Sequence, residues 1–142
     1  MRALKAHTLQ IGDQTRKSKT FTEHEVELFS RLSGDANPIH LEDDFAARTI
    51  FKKRVVHGSL VNSLFSNILG NELPGVGTIY CKQDSQFLKP VYIGDTVTAE
   101  VTISHIDRER NRVYLDTKAY NQNGDQVISG TAMVLPPKEV VS

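Results

Sequence analysis

A chain of 142 residues is about the size of one domain, so we predict that residues 1–142 form a single domain. Its 17 basic and 17 acidic side chains cancel, which excludes the strong overall field that draws proteins to nucleic acid or to an anionic membrane. No stretch approaches the roughly 18 apolar residues of a membrane span, and the first residues lack the apolar core of a secretion signal, so we expect a cytoplasmic protein with neither a membrane nor a nucleic-acid partner.

The first predicted elements are two helices joined by a turn. The first helix begins after Thr22, where the sequence Thr-Glu-His-Glu has the pattern of a capping box, and it ends at Gly34. A second, short helix is predicted over residues 38–48, because the Asn-Pro pair before it suits a cap followed by the first helical position. His40 lies in the first turn of this helix.

A longer helix is predicted after His57-Gly58-Ser59, and it is closed by Gly70. Apolar residues cover most of its circumference, which predicts that it is buried on more than one side.

After residue 77 the apolar spacing changes to every second position, which is typical of half-buried strands. Strands are predicted at about residues 78–88, 96–103, 112–120 and 126–135, and a loose tail is expected from about residue 136. Early helices followed by antiparallel strands indicate an α+β domain. We therefore predict a curved antiparallel sheet wrapped around the long central helix.

The turn between the first two helices holds the densest group of polar residues. Asp35 and His40 lie five residues apart in a segment stiffened by Gly34 and by the Asn-Pro pair. A carboxylate only accepts hydrogen bonds, whereas histidine donates at one nitrogen and accepts at the other, so the pair could hold a water molecule and exchange protons. The alternative is structural, with Asp35 capping a helix and His40 buried in the core.

The start of the long helix is the second candidate site. A helix N-terminus presents unpaired amides and the positive end of the helix dipole, so the amide of Gly58 could stabilise an oxygen that becomes negative. Alternatively, Gly58 only lets the chain turn and Ser59 only caps the helix.

Three weaker candidates remain. The basic run Lys52-Lys53-Arg54 is either solvated or able to meet phosphates of a ligand. Ser66 interrupts the apolar helix with a polar atom that needs a partner, which a ligand could supply. Cys81 is the only cysteine and is predicted to be a small core residue rather than a nucleophile.

The segment Phe29–Ala46, with the sequence FSRLSGDANPIHLEDDFA, resembles the signature of the MaoC-like, (R)-specific enoyl-CoA hydratases: an aromatic residue, SGD, one residue, NPIH, five residues and Ala. The other matching segments are His57-Gly58, Leu73-Pro74-Gly75 and FLKPVYIGD at residues 87–95, in the order of the family. The resemblance extends over about residues 12–136.

This resemblance implies a hotdog fold, in which an antiparallel sheet wraps a central helix and two subunits join their sheets edge to edge, so a homodimer is expected. It also implies hydration of trans-2-enoyl thioesters of coenzyme A to (R)-3-hydroxyacyl thioesters. The family uses neither a metal nor a redox cofactor, and coenzyme A is part of the substrate.

The resemblance also implies roles for individual residues. Asp35 and His40 correspond to the acid/base pair, with Asp35 favoured as the base and His40 as the donor that orients the water, and the amide of Gly58 corresponds to the oxyanion donor. The expected substrate-binding residues are Asn37, which shapes the loop, His57, Ser66, which positions the substrate, and Leu69, which lines the acyl pocket. Ser59 stands where relatives often carry a larger apolar residue, which leaves the acyl-chain preference open.

Three alternatives to the hydratase remain open at this level. The protein could be a (3R)-hydroxyacyl dehydratase acting on acyl carrier protein, a hotdog acyl-CoA thioesterase, or a non-catalytic domain that binds thioesters. The pathway, whether polyester precursor supply, degradation or fatty-acid synthesis, and any assembly beyond a dimer are also open.

Overall fold

The strands form one antiparallel sheet. In a computed structural model, which describes residues 8–138, the strands are β1 (Gln14–Thr20), β2 (Ile79–Phe87), β3 (Thr96–Asp107), β4 (Arg112–Tyr120) and β5 (Gln126–Leu135). Their order in the sheet is β1-β3-β4-β5-β2, which leaves β1 and β2 at the two edges. All four predicted strands are confirmed. β3 continues beyond its predicted end, past an irregularity in register between Ile103 and His105.

The strand β1 was not predicted from the sequence. Its residues, QTRKSKT, contain no aliphatic or aromatic side chain, so no apolar alternation marks them as a strand. The strand forms because its backbone pairs with β3 from Gln14 opposite Thr102 to Thr20 opposite Thr96. Alternate residues are only half-buried, as expected for an edge strand.

The helices are α1 (Glu23–Ser33), α2 (Pro38–Leu41), α3 (Asp43–Ala47) and α4 (Gly58–Asn71). The capping box is confirmed: the Glu25 amide donates to Thr22 Oγ1 at 3.2 Å, and the Thr22 amide donates to Glu25 Oε1 at 3.0 Å. Gly34 ends α1 with φ 82°, which glycine adopts without strain. The prediction of one continuous helix over residues 38–48 is wrong. The backbone of Glu42 is extended, so this segment forms two short helices, α2 and α3.

The core lies between α4 and one face of the sheet. The buried residues of α4 are Val61, Leu64, Phe65, Ile68 and Leu69, which form a single stripe along the helix. They pack with inward-facing residues of the strands, among them Val97, Val101, Leu115 and Val134. In the single chain α4 is therefore buried on one side, and Ser63, Ser66 and Asn67 lie exposed on the other. Burial on more than one side is not found within residues 8–138.

Two further expectations concern single positions and the chain end. Cys81 is exposed on β2, so its assignment to the core was wrong. Pro136 is buried, and its carbonyl oxygen accepts a 2.7 Å hydrogen bond from Asn111 Nδ2, so the chain is still held just beyond β5. The rest of the predicted tail, after residue 138, lies outside the described residues.

In the part of the chain that is described, no helix has the length and apolarity to cross a membrane.

Candidate active site

The turn between α1 and α2 holds the Asp35 side chain through a series of local hydrogen bonds. The Asp35 amide donates to Ser33 Oγ at 3.1 Å, and Asp35 Oδ1 accepts from the Asn37 amide at 3.2 Å. Asn37 caps α2, because its Oδ1 accepts from the Ile39 amide at 3.3 Å. Asp35 is exposed at its side chain, but its backbone is fixed on both sides.

His40 lies in α2 and is 7% exposed. Its Nδ1 lies 2.7 Å from the carbonyl oxygen of Val55. Because a carbonyl oxygen only accepts, Nδ1 carries the hydrogen and the neutral ring presents a lone pair at Nε2. In the neutral ring Nε2 can accept but not donate, so the predicted role of His40 as a donor to water would require a ring that carries both hydrogens.

Arg54 fixes the backbone of His40. Its Nε donates to the His40 carbonyl oxygen at 2.8 Å, and its Nη1 forms a 2.6 Å ion pair with Glu23 at the start of α1. The side chain is 8% exposed, so this guanidinium is not free to meet a ligand phosphate. Of the basic run, Lys52 and Lys53 remain exposed, and Lys53 Nζ lies 4.7 Å from the ring centroid of Tyr92.

His57 is buried immediately before α4. Its ring stacks on the His40 ring with centroids 3.7 Å apart and an interplanar angle of 25°. Its Nε2 lies 3.1 Å from both the Asp35 carbonyl oxygen and Ser30 Oγ. Burial lowers the pKa of His57 below the ordinary 6.5 and the nearby His40 lowers it further, whereas the hydrogen bond to the Asp35 backbone and the Asp35 charge oppose this shift.

The fold thus brings Asp35, His40 and His57 into one cluster. One side-chain oxygen or nitrogen of each residue lies within 4.8 Å of those of the other two. A metal ion would have to lie in the plane of each imidazole at about 2.0–2.1 Å from its nitrogen. Nδ1 of His40 and Nε2 of His57 both face carbonyl oxygens and so carry hydrogens, which leaves neither nitrogen free as a metal ligand; the cluster is better suited to a hydrogen-bonded water molecule.

The N-terminus of α4 adjoins this cluster. The amides of Leu60 and Val61 donate to the His57 carbonyl oxygen at 3.0 and 3.1 Å. The amides of Gly58 and Ser59 form no hydrogen bond with residues 8–138, so both are free to bind an acceptor. The chain packs closely at Gly58, because a Cβ atom there would lie 2.8 Å from the ring of Phe87, which would have to shift to admit it.

A cavity of about 490 Å³ opens beside His40 and Gly58, which both line it. Its other walls are mainly apolar and include Ile39, Phe51, Val56, Val61, Phe87 and Ile128. This is the size and character of a small-molecule site.

None of the four predicted substrate-binding residues lines this cavity, and neither does Asp35; Asn37 lies in the turn before α2, and His57 is buried behind His40. Ser66 is exposed on α4, two turns after Gly58, and Leu69 is 1% exposed within the core. Their roles stay predictions. Conversely, sequence reasoning missed Ser30 and Phe87 as neighbours of the site, because both reach it through contacts distant along the chain.

The chain belongs to the family of MaoC-like domains, whose family model matches residues 7–124. Its relatives include an (R)-specific enoyl-CoA hydratase from Aeromonas caviae, 42% identical over 134 residues that cover 94% of this chain and all of the relative.

Two solved structures share the fold. The (R)-hydratase from Aeromonas caviae involved in PHA biosynthesis superimposes with a TM-score of 0.89 at 43% identity, covering 92% of this chain and 98% of that one. An unliganded (R)-hydratase from Pseudomonas aeruginosa superimposes with a TM-score of 0.92 at 36% identity, covering 99% and 90%. The predicted hotdog fold is thereby confirmed.

Proposed function

We propose that this protein is a hydro-lyase, an (R)-specific enoyl-CoA hydratase, which adds water to trans-2-enoyl-CoA to give (R)-3-hydroxyacyl-CoA. The observation that carries the proposal is the cluster of Asp35 and His40, of which His40 lines a largely apolar cavity together with Gly58, whose amide is free. The similarity to the Aeromonas caviae hydratase over nearly the whole chain supports it.

The hydrogen-bonding states of the pair suit one water molecule. The ionised carboxylate of Asp35 accepts hydrogen bonds, and so does Nε2 of neutral His40, because Nδ1 carries the hydrogen. A water molecule between them donates one O–H to each group. Its oxygen lone pair is then free to attack C3 of the substrate.

In the proposed reaction, Asp35 takes a proton from the water as the C3–O bond forms. The electron pair of the C2=C3 bond moves toward C2 and the thioester oxygen, and the protonated Asp35 returns the proton to C2 on the same face. His40 orients the water throughout, held in its tautomer by the Val55 carbonyl. Water is thus added without any further reactant.

The amide of Gly58 would stabilise the enolate-like thioester oxygen. Its position at the first turn of α4 adds the positive end of the helix dipole where negative charge develops. A donor of this kind is typically worth about 3–4 kcal/mol of transition-state stabilisation. The acyl chain would occupy the cavity beside it, with a length preference that a turnover screen over enoyl-CoA substrates would define.

The test uses crotonyl-CoA. We expect loss of the enoyl absorbance without release of free thiol, and a product of (R) configuration. Thiol release would instead identify a thioesterase, and tight binding without turnover would identify a thioester-binding domain. Comparing coenzyme A and acyl carrier protein substrates of equal acyl length would distinguish the hydratase from a dehydratase of fatty-acid synthesis.

We also propose that the protein forms a homodimer. The edge strand β2 and the residues after it expose large apolar side chains, namely Ile79, Tyr80, Phe87 and Leu88. Pairing of two copies would cover this surface and the unpaired edge of the sheet. Light scattering should then give twice the chain mass, and a stable monomer near 15.9 kDa would contradict the proposal.

A further inference from the structure

His57 contacts both members of the proposed catalytic pair, although it does not line the cavity. Its ring stacks on His40 and its Nε2 bonds to the backbone carbonyl of Asp35. The side chain is 2% exposed, and the edge of the Phe29 ring packs against it with centroids 4.9 Å apart. One buried imidazole therefore joins the loop that carries the carboxylate to the helix that carries the second imidazole.

The hydrogen-bond partners of His57 define its tautomer. Nε2 carries the hydrogen, because the Asp35 carbonyl oxygen can only accept. Nδ1 is buried and has no partner among residues 8–138. A proton on Nδ1 would have no acceptor there, so the charged ring would be strongly disfavoured.

A charge at His57 would disturb the proposed reaction. The titratable groups that face it are Asp35, from the loop after α1, and His40, from α2; the other close contacts, Phe29 and Ser30, are uncharged. A positive charge on the His57 ring, whose centroid lies 3.7 Å from that of His40, would attract the Asp35 carboxylate. This attraction would draw the carboxylate away from the water between the pair.

We propose that His57 is a positioning residue, a permanently neutral spacer that sets the separation of Asp35 from His40. This assignment rests on the proposed hydratase function, and it replaces the expectation that His57 contacts substrate. The spacer acts through two separable features, the flat ring against His40 and the Nε2–H donor to the Asp35 backbone.

Two variants remove these features one at a time. His57→Phe keeps a ring but loses the donor, and His57→Gln keeps an amide donor but loses the ring. We expect kcat for crotonyl-CoA to fall about 10- to 100-fold in each, as displacements of about 1 Å do, while KM changes by less than about threefold. His105→Gln, which alters an exposed histidine of β3, is the matched control and should keep wild-type kinetics.

The pH profile separates positioning from titration. Because His57 is neutral throughout, His57→Phe should lower kcat/KM by the same factor at every pH and leave the shape of the profile unchanged. Loss or displacement of the acid limb in that variant would show that His57 itself titrates and would overturn the proposal. Wild-type kcat in both folded variants would overturn it as well.

A second measurement uses only the wild-type protein, so it does not depend on the folding of any variant. In ¹⁵N spectra of the histidine rings, we expect His57 to stay neutral with its hydrogen on Nε2 at about pH 5.5, where an ordinary histidine is mostly charged. A charged His57 at that pH would overturn the proposal. Absence of enoyl-CoA turnover in the wild-type protein would refute only the proposed function. The spectra measure the protonation state of His57 in the absence of substrate, so they test the spacer separately.

Discussion

The replacement Asp35→Asn separates catalysis from folding. In the structure the carboxylate is exposed and accepts one bond, from the Asn37 amide at 3.2 Å. The carbonyl of an asparagine side chain can accept the same bond, and the backbone carbonyl that binds His57 is unchanged. We therefore expect the free energy of unfolding to fall by less than about 1 kcal/mol.

The catalytic cost of the same change should be much larger. A neutral amide cannot take the proton from water, and a positioned general base contributes about 10²- to 10⁴-fold to the rate. This corresponds to roughly 2.7–5.4 kcal/mol in the activation barrier. Initial rates with crotonyl-CoA would measure this loss, and denaturant unfolding of the same preparation would measure stability.

A matched control is Asp44→Asn, which removes an exposed carboxylate from the first turn of α3. It should keep wild-type turnover. The reasoning would be refuted if Asp35→Asn kept turnover within about tenfold of wild type, or if its loss of activity were matched by an equal loss of folded protein.

Three further predictions address the rest of the site and the stability of the fold. His40→Gln should remain folded by circular dichroism and lose at least about 10² in turnover, and near-normal turnover would contradict its role. Gly58→Ala should lower kcat/KM about tenfold, because the new Cβ would lie 2.8 Å from the Phe87 ring; in a Phe87→Leu background the same change should cost much less, which a double-mutant cycle measures. The pKa of the Glu25 carboxyl is held below its ordinary 4.5, mainly by a hydrogen bond from Lys19. The ionised carboxylate therefore stabilises the folded protein above about pH 4.5, and this contribution is lost as the pH falls and the carboxylate becomes protonated. The stability difference between wild type and Glu25→Gln should therefore shrink between about pH 7 and about pH 3 in urea titrations, and a constant difference would contradict this.

Local signals predicted most of the elements. The capping box at Thr22 and the glycine at 34 involve only neighbours within one helical turn, and strands β3 to β5 place apolar residues mainly at every second position. Such patterns are visible because the interactions that produce them are close along the chain. The signature around Asp35 and His40 was visible for the same reason, since a short, stiff turn fixes both residues.

Long-range packing determined the rest. Strand β1 has no apolar pattern and exists because β3 offers it a partner more than 70 residues away. The tautomer of His40 depends on Val55, 15 residues later, and the bond that joins His57 to Asp35 spans 22 residues. A polar group finds such partners only after helices and sheet have packed, because a hydrogen bond requires a particular distance and direction that spacing along the chain does not specify. The candidate acid and base, Asp35 and His40, could therefore be proposed from the amino-acid order, whereas the hydrogen-bond partners that orient them follow only from the packed fold.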